Sequence, residues 1–409
     1  MASPSIENIG GVAPLLLIIA LLCMPSGIGG GVLFVPVLRL IGGLQLKEST
    51  ALSQALIASA SLAATLFNCF EQYSARNDPK ALIVWPFVIL TLPCTVIGSL
   101  IGVYLYSWLP SLFILILYFC FVCLGSFMAY RKGIRLWKAE NGAKRRAVDG
   151  DSTDMSRSSE VTVEVPSLLR MPNMKKLAAY TSIAALIWAV CLIFPLLTGT
   201  HPLQVVFDLS PSLCDEQQDD VAATPSGVIG VPFCEEAFWG LAALQALILL
   251  LIPTGYVVAK RTAETARVGL VLMTSMIVIG LISSIVGISG GLFMIPVVLS
   301  LGLDPKQATA TTSIVIFATS TSTALSFALG GYFPPASDLW IVVMPFIGAL
   351  LGKTIVARLI AKTGRMSILV LLLGTVVIIG GITTISTGIV SVVNGALNGD
   401  EVVQFGSFC

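Results

Sequence analysis

The segment GIGGGVLFVP at residues 27–36 recurs as GISGGLFMIP at residues 287–296. Each copy lies inside a long apolar run, and its glycines interrupt a sequence that is otherwise typical of a membrane helix. Glycine lets the backbone leave helical geometry, and a bilayer tolerates such backbone where it is buried in protein or lines a cavity. The repeated segment therefore predicts a buried break in each of two membrane helices.

Two further matches follow each break in the same order. KESTA at residues 47–51 matches KQATA at 306–310, and IGSLIG at 97–102 matches IGALLG at 347–352. Three matches in one order indicate an internal repeat. The predicted divisions are a first membrane repeat at 1–130, a cytosolic flexible loop at 131–176, two linking helices at 177–262 with an acidic non-cytosolic loop at 198–236, a second membrane repeat at 263–395, and a C-terminal tail at 396–409.

Composition indicates that the whole chain belongs in a lipid bilayer. Its 409 residues are 56% hydrophobic and 11% charged, whereas soluble domains carry about 25% charged residues. This excludes a disordered chain, a secreted disulfide scaffold and an ordinary soluble enzyme. The net charge of +1 argues against a nucleic-acid partner. We expect a multi-pass protein of the plasma membrane or an endomembrane.

Loop charge predicts how the repeats are oriented. Residues 131–176 carry eleven Lys and Arg, which is typical of a cytosolic loop, whereas residues 198–236 carry seven acids and neither Lys nor Arg. If each broken segment crosses the membrane once, six basic residues of the two repeats lie on the non-cytosolic side. If each broken segment is a hairpin that enters and leaves on the same side, only Arg39 and Lys47 lie there. We therefore expect an all-α polytopic membrane protein of two inverted repeats, each a glycine-broken re-entrant helix pair plus three transmembrane helices, joined by two linking helices.

The two breaks and the helix starts that follow them form the candidate anion site. A helix that begins at a break presents its first N–H groups and its positive dipole end, which favour an anion. Hydroxyl and amide side chains just downstream would add neutral donors. The alternative interpretation is close helix packing by small residues, which is common in membranes. The predicted substrate-binding residues are Gly27, Gly29, Gly30, Gly31, Ser49, Thr50, Ser53, Gln54, Gly287, Ser289, Gly290, Gly291, Thr309, Thr312 and Ser313.

A bulky side chain at Gly30 or Gly290 is expected to abolish transport, because it would fill the space where backbone approaches the ligand.

Few charges lie within the predicted spans. The spans contain no Asp or Glu, which argues against a cation pathway and against a carboxylate proton relay. Lys353 is a candidate anion attractor at the inner mouth, and Arg39 and Lys47 are its counterparts outside. Interfacial anchoring is the alternative for all three. With one histidine and no acids in the spans, we predict no metal site, no cofactor and no enzyme activity.

Two other patterns have structural interpretations. The GxxxG pairs at 98–102 and 348–352 predict close helix contacts. Cys214 and Cys234 both lie in the acidic outer loop, where a disulfide is feasible, and Cys409 is a competing partner.

Together with the Lys-x-x-Thr-Ala-like helix starts, the breaks at 27–36 and 287–296 resemble the sulfite exporter TauE/SafE family of permeases. The resemblance covers residues 10–130 and 263–390, and the long central loops are similar to those of eukaryotic members. It implies a transporter of small sulfur-containing or organic anions such as sulfite, thiosulfate, sulfonates or sulfoacetate. An anion channel would share the same site chemistry. A membrane-embedded enzyme lacks a catalytic set, and a degenerate scaffold subunit would not be expected to keep both breaks.

Overall fold

The computed structural model describes the chain at residues 6–27, 29–74, 82–148, 174–198, 236–259, 263–288, 290–333 and 336–363, and at scattered positions between 371 and 390. These residues form helices and their connections, without a strand among them. The α-helices are α1 Ile6–Cys23, α2 Gly31–Leu40, α3 Leu46–Ser74, α4 Trp85–Trp108, α5 Ser111–Val148, α6 Met174–Thr198, α7 Glu236–Ala259, α8 Ala263–Val286, α9 Gly291–Ser300, α10 Pro305–Leu329 and α11 Val343–Thr363. Short 3₁₀ helices span Met24–Ser26 and Ala336–Val342.

Six of these helices are long and apolar enough to cross a membrane. Their apolar windows lie in α3, α4, α6, α7, α8 and α10. With a mean hydropathy of +0.93 over the chain, the protein is an integral, multi-pass membrane protein.

Helices are interrupted where the glycine clusters predicted. α1 ends at Cys23 and α2 begins at Gly31, while α8 ends at Val286 and α9 begins at Gly291. The two short helices, α2 and α9, each have ten residues and begin 260 positions apart. The repeated sequence therefore produces a repeated local structure.

The predicted cytosolic loop differs from the structure at its start. α5 continues to Val148, so residues 131–148 are helical rather than loop. Lys, Arg and Ala are frequent there and are good helix formers, so a helix that leaves the membrane propagates into water. The Ser- and Asp-rich centre of this loop and the acidic outer loop lie outside the described residues.

Helices of one repeat pack mainly on helices of the other. The most extensive contacts join α4 to α8, α3 to α10 and α1 to α11. A Cβ placed on Gly98 would overlap the carbonyl oxygen of Ile277, and one on Gly348 would overlap that of Leu17. These two contacts are equivalent under the repeat, since Leu17 and Ile277 are 260 residues apart. The GxxxG segments are close helix contacts, as predicted, and they join the two repeats.

α3 and α10, which are matching helices, lie with the start of one beside the end of the other. Lys306, in the first turn of α10, pairs with Glu71, near the end of α3, at 2.6 Å between Nζ and Oε1. Lys47, in the first turn of α3, has its Nζ 6.0 Å from the ring centroid of Tyr332, just beyond α10. These contacts place cationic side chains at both ends of the α3–α10 pair.

The linking helices cover one side of this core. α6 and α7 both pack on α4, and α6 also packs on α10. The indole Nε1 of Trp188 donates to Thr321 Oγ1 at 3.1 Å, and Ser322 Oγ donates to the Cys191 carbonyl at 3.2 Å. The helices that carry the candidate site are therefore held by both repeats and by the linker.

Candidate functional site

The first break is enclosed by the second repeat. Gly27 has φ +74, and a Cβ built on it would lie 2.9 Å from Ile295 Cδ1 and 3.2 Å from Thr309 Cγ2. Ile295 belongs to α9 and Thr309 to the first turns of α10. Positive φ and close contact both favour glycine at this position. The backbone break at Gly27 is therefore packed against a surface that the second repeat supplies.

The second break has the reciprocal surroundings. Gly287 has φ +71, and a Cβ on it would lie 2.7 Å from Thr50 Cγ2. Ser53 Oγ donates to the Gly287 carbonyl at 3.0 Å, and Gln54 Nε2 donates to the Ser283 carbonyl at 3.4 Å. All these donors belong to α3 in the first repeat. The predicted residues Thr50, Ser53 and Gln54 thus converge on one break.

Each hydroxyl-rich helix start contacts the glycine break of the other repeat. The sequence pattern had placed each helix start next to the break of its own repeat, which precedes it in the chain. In the structure, Thr50 contacts Gly287 and Thr309 contacts Gly27. Cross-repeat packing of α3 and α10 causes this exchange, and chain proximity alone would not reveal it.

Most of the predicted hydroxyls use their protons within their own helix. Thr50 differs from them, because its Oγ1 is buried and lacks a hydrogen-bond partner of ordinary geometry among the described residues. A helical Ser or Thr that donates to the preceding turn must rotate before it can donate to a ligand. Ser53 divides its proton between the Thr50 carbonyl at 2.8 Å and the Gly287 carbonyl. The others that donate to carbonyls one turn earlier, at 2.7 to 3.0 Å, are Ser49, Thr309, Thr312 and Ser313.

The remaining glycines of the breaks are not equivalent. Gly30 has φ +75, and a Cβ there would lie 3.1 Å from the Phe34 ring. Gly290 has φ −58, which any residue adopts, and its nearest neighbour would be Ile279 Cγ2 at 3.3 Å. Backbone conformation therefore requires glycine at Gly30 but not at Gly290, and the expected loss of transport from a bulky side chain at Gly290 depends on space alone. Gly29 has φ +82, and Ser289 lies outside the described residues.

Backbone donors at the breaks come from the first turns of the short helices. The amides of Leu33 and Phe34 both reach the Gly30 carbonyl, at 2.9 and 3.1 Å. Those of Phe293 and Met294 reach the Gly290 carbonyl, at 3.2 and 3.0 Å. The amides of Val32 and Leu292 precede them in the first turns of α2 and α9, where N–H groups favour an anion.

Lys353 contacts protein rather than open lipid. Its Nζ donates to Asn68 Oδ1 at 3.2 Å, and the Asn68 amide Nδ2 is buried without a partner in the described part of the chain. The Glu71–Lys306 ion pair lies at the same end of α3. Lys353 is thus held in a polar cluster whose other members the sequence did not indicate.

Arg39 and Lys47 lie at the opposite end of α3. Lys47 is over the Tyr332 ring, whereas Arg39 interacts electrostatically with Tyr106 and Tyr118. Sequence reasoning missed both tyrosines. The available signal was a hydroxyl inside an apolar run, since a buried tyrosine usually finds a polar partner.

Metal and disulfide chemistry receive no structural support within the described residues. They contain no group of three His, Cys, Asp or Glu arranged to hold a metal ion. Cys214, Cys234 and Cys409 lie outside them.

Comparison with known proteins identifies the family. The family described as "Sulfite exporter TauE/SafE" matches residues 2–128 and 221–383. The chain is 26% identical over 397 residues to "Sulfite exporter TauE/SafE family protein 5" of Arabidopsis thaliana, covering 91% of this chain and 81% of that relative. It is also 26% identical over 406 residues to family protein 3 of the same plant, covering 94% and 79%. No solved structure matches. Because the match includes both glycine breaks and both hydroxyl-rich helix starts, the chain belongs to the sulfite exporter TauE/SafE family of membrane transporters.

Proposed function

We propose that this protein transports small sulfur-containing or organic anions, such as sulfite, thiosulfate or sulfonates, which bind between the two glycine breaks. The observation that carries the proposal is reciprocal packing: Gly27 lies against Thr309, and Gly287 lies against Thr50. Each half of the site therefore takes its backbone from one repeat and its side chains from the other. The names of the relatives, as sulfite exporter family proteins, support the anion class.

The site would bind its substrate mainly through neutral donors. The first-turn amides of α2 and α9 supply N–H groups and the positive ends of two helix dipoles. Thr50 supplies a buried hydroxyl that neighbours Tyr106 and makes no hydrogen bond of ordinary geometry among the described residues. Neither break contains a carboxylate that would repel an anion. A set of neutral donors holds an anion without the strong ion pair that would slow its release.

We infer that the two repeats are inverted, as in many secondary transporters. The contacts at Lys306–Glu71 and Lys47–Tyr332 support this, because each places the start of one matching helix beside the end of the other. Ile295 of α9 reaches Gly27, so the helix that begins at the second break contacts the first. A small tilt of one repeat against the other would therefore alter both halves of the site together.

The test is uptake by purified protein in liposomes, with sulfite, thiosulfate, sulfate, methanesulfonate and chloride as separate substrates. Saturable uptake and counterflow of one or more sulfur oxyanions are expected. Gly287→Ala should abolish uptake, whereas the matched control Gly240→Ala should not, because a Cβ at Gly240 meets nothing within 4 Å. Folded, correctly inserted protein that moves none of the sulfur oxyanions would refute the proposal.

A further inference from the structure

A cationic side chain in the first repeat has an unsatisfied, buried donor. Arg39 lies in the last turn of α2, and its Nη1 is buried without a hydrogen-bond partner among the described residues. A buried donor without a partner is rare in folded proteins, and one on a charged group is especially costly. Such an atom commonly marks a place where water or an ion binds.

The groups described within electrostatic range of Arg39 are phenols rather than carboxylates. They belong to Tyr106 and Tyr118. The Tyr118 hydroxyl donates to the Val32 carbonyl at 2.8 Å, and the Tyr106 hydroxyl donates to the Leu46 carbonyl at 3.3 Å. Both phenols are therefore held by backbone carbonyls, within electrostatic range of the guanidinium.

The acid described near the start of α3 already accepts a backbone hydrogen bond. Glu48, in the first turn of α3, accepts a hydrogen bond from the Gln45 amide at 3.1 Å. Among the residues that the structure places, the ion pair is Glu71 with Lys306, at the other end of α3. Arg39 thus has no protein counter-ion among them, which leaves its charge available to an anion from solution.

A second unsatisfied donor lies close by. Thr50 is fully buried, its Oγ1 has no partner of ordinary geometry among the described residues, and it neighbours the Tyr106 hydroxyl. Its Cγ2 also lies against Gly287 of the second break. Tyr106, Thr50 and Gly287 are therefore successive neighbours that end at the proposed site, and Arg39 lies within electrostatic range of the first of them.

The second repeat lacks this arrangement. The repeat offsets place Leu299 where the first repeat has Arg39, and Val356 where it has Tyr106. Thr309, which corresponds to Thr50, donates its hydroxyl proton to the Lys306 carbonyl at 3.0 Å. The charged donor set is therefore present in one half of an otherwise repeated structure.

We propose that Arg39, Thr50, Tyr106 and Tyr118 form a one-sided binding site for a small oxyanion, adjoining the second glycine break. The inference rests on the proposed function, and it assigns recognition of the substrate's negative charge to the Arg39 guanidinium. A guanidinium binds two oxygens of a sulfite, sulfonate or carboxylate at once, whereas chloride offers it a single point of contact. The site therefore discriminates between oxyanions and halides, and it does so from one side of the membrane.

The experiment measures the Kd of purified full-length protein in detergent for sulfite, methanesulfonate and chloride, and the KM for sulfite in liposomes. Arg39→Gln is expected to raise both constants for sulfite by about tenfold to a hundredfold, the range for charge-assisted hydrogen bonds. Arg39→Lys should show a smaller loss, because it keeps the charge but not the bidentate geometry. Thr50→Val should raise the sulfite Kd by about two- to tenfold.

The control is Arg135→Gln, which removes the same charge from an exposed position on the extension of α5. If Arg39→Gln does not fold, Arg39→Lys and Thr50→Val provide the same comparison. Wild-type transport with an unchanged sulfite Kd in the Arg39 and Thr50 variants would overturn this inference and leave the proposed function intact. Equal affinity for chloride and sulfite in the wild type would also overturn it. A wild-type protein that neither binds nor moves any sulfur oxyanion would instead refute the proposed function.

Discussion

Gly287 and Gly290 lie three residues apart in the second break, yet their backbones have different requirements. Gly287 has positive φ and contacts Thr50, whereas Gly290 has a helical φ and faces the Ile279 methyl group. Left-handed backbone costs a non-glycine residue about 1–2 kcal/mol. The contact with Thr50 adds a steric cost, because Thr50 is fully buried in α3 and a Cβ on Gly287 would lie 2.7 Å from its Cγ2.

Gly287→Ala is therefore expected to lower the stability of the protein by about 2 kcal/mol or more and to abolish transport. Gly290→Ala should change stability by about 1 kcal/mol or less, since a terminal methyl can move by a few tenths of an ångström. Thermal unfolding in detergent and sulfite uptake measure the two effects. Equal losses for both variants would show that the difference in φ is not the cause.

Asn68 and Lys353 provide a second residue-level prediction. Asn68 is buried, and its Oδ1 accepts a hydrogen bond from Lys353 Nζ at 3.2 Å. Asn68→Leu should destabilise the protein by about 1–3 kcal/mol, because it leaves a buried cation without its acceptor. Adding Lys353→Met should restore most of this loss, since both polar partners are then replaced. A double-mutant cycle with additive losses would contradict direct coupling of the pair.

At the scale of helices, the GxxxG segments join the repeats to each other. Gly98 of α4 packs on Ile277 of α8, and Gly348 of α11 packs on Leu17 of α1. Small residues let two helix backbones approach closely, which drives helix association in lipid. The motif predicted a close contact, but it contained no information about which helix would supply the partner.

Gly98→Leu and Gly348→Leu are each expected to destabilise the protein by about 1–3 kcal/mol or more, because a side chain must separate two packed backbones. Their effects should be similar, given that the two contacts are equivalent under the repeat. Gly142→Leu is the matched control, since a Cβ at Gly142 meets nothing within 4 Å. Thermal stability in detergent, followed by size-exclusion chromatography, checks the result. A wild-type profile for either variant would disprove that contact.

For the whole molecule, inverted repeats predict the location of the polar segments. Residues 150 and 401 should be accessible from opposite sides of the membrane, because basic loops are retained in the cytosol. Single cysteines introduced at these positions and labelled by an impermeant reagent provide the measurement. Labelling of both from one side of sealed vesicles would exclude the inverted arrangement.

The driving force is also a property of the whole molecule. Among the described candidate spans, Asp and Glu occur only in the end turns of α3, as Glu48 and Glu71, so no carboxylate lies in the middle of a span to carry a proton. Export of a monovalent anion from a negative cytosol releases about 2.3 kcal/mol per 100 mV. We therefore expect sulfite flux to follow an imposed potassium diffusion potential. Flux that follows an imposed pH gradient and ignores the potential would contradict this mechanism without affecting the site.

The positions of the helix breaks were predictable from the sequence alone. The breaks at residues 27–31 and 287–291 were predictable because glycine clusters change backbone geometry where they stand, whatever surrounds them. The helix beyond Arg131 was not predicted, although its composition favours helix. Polarity was interpreted there as loop, but a helix that leaves the bilayer can continue in water.

The membrane environment, the repeat and the positions of the breaks followed from the sequence by itself, because hydropathy and glycine act within a few residues of chain. Only the tertiary structure decided that Thr50 contacts Gly287 and that Thr309 contacts Gly27. It also decided that Arg39 lies within electrostatic range of Tyr106 and Tyr118, which belong to the same repeat. The two threonines meet glycines more than 200 residues away because helices of one repeat pack on helices of the other. Such packing depends on the summed shape of many side chains and not on any single motif.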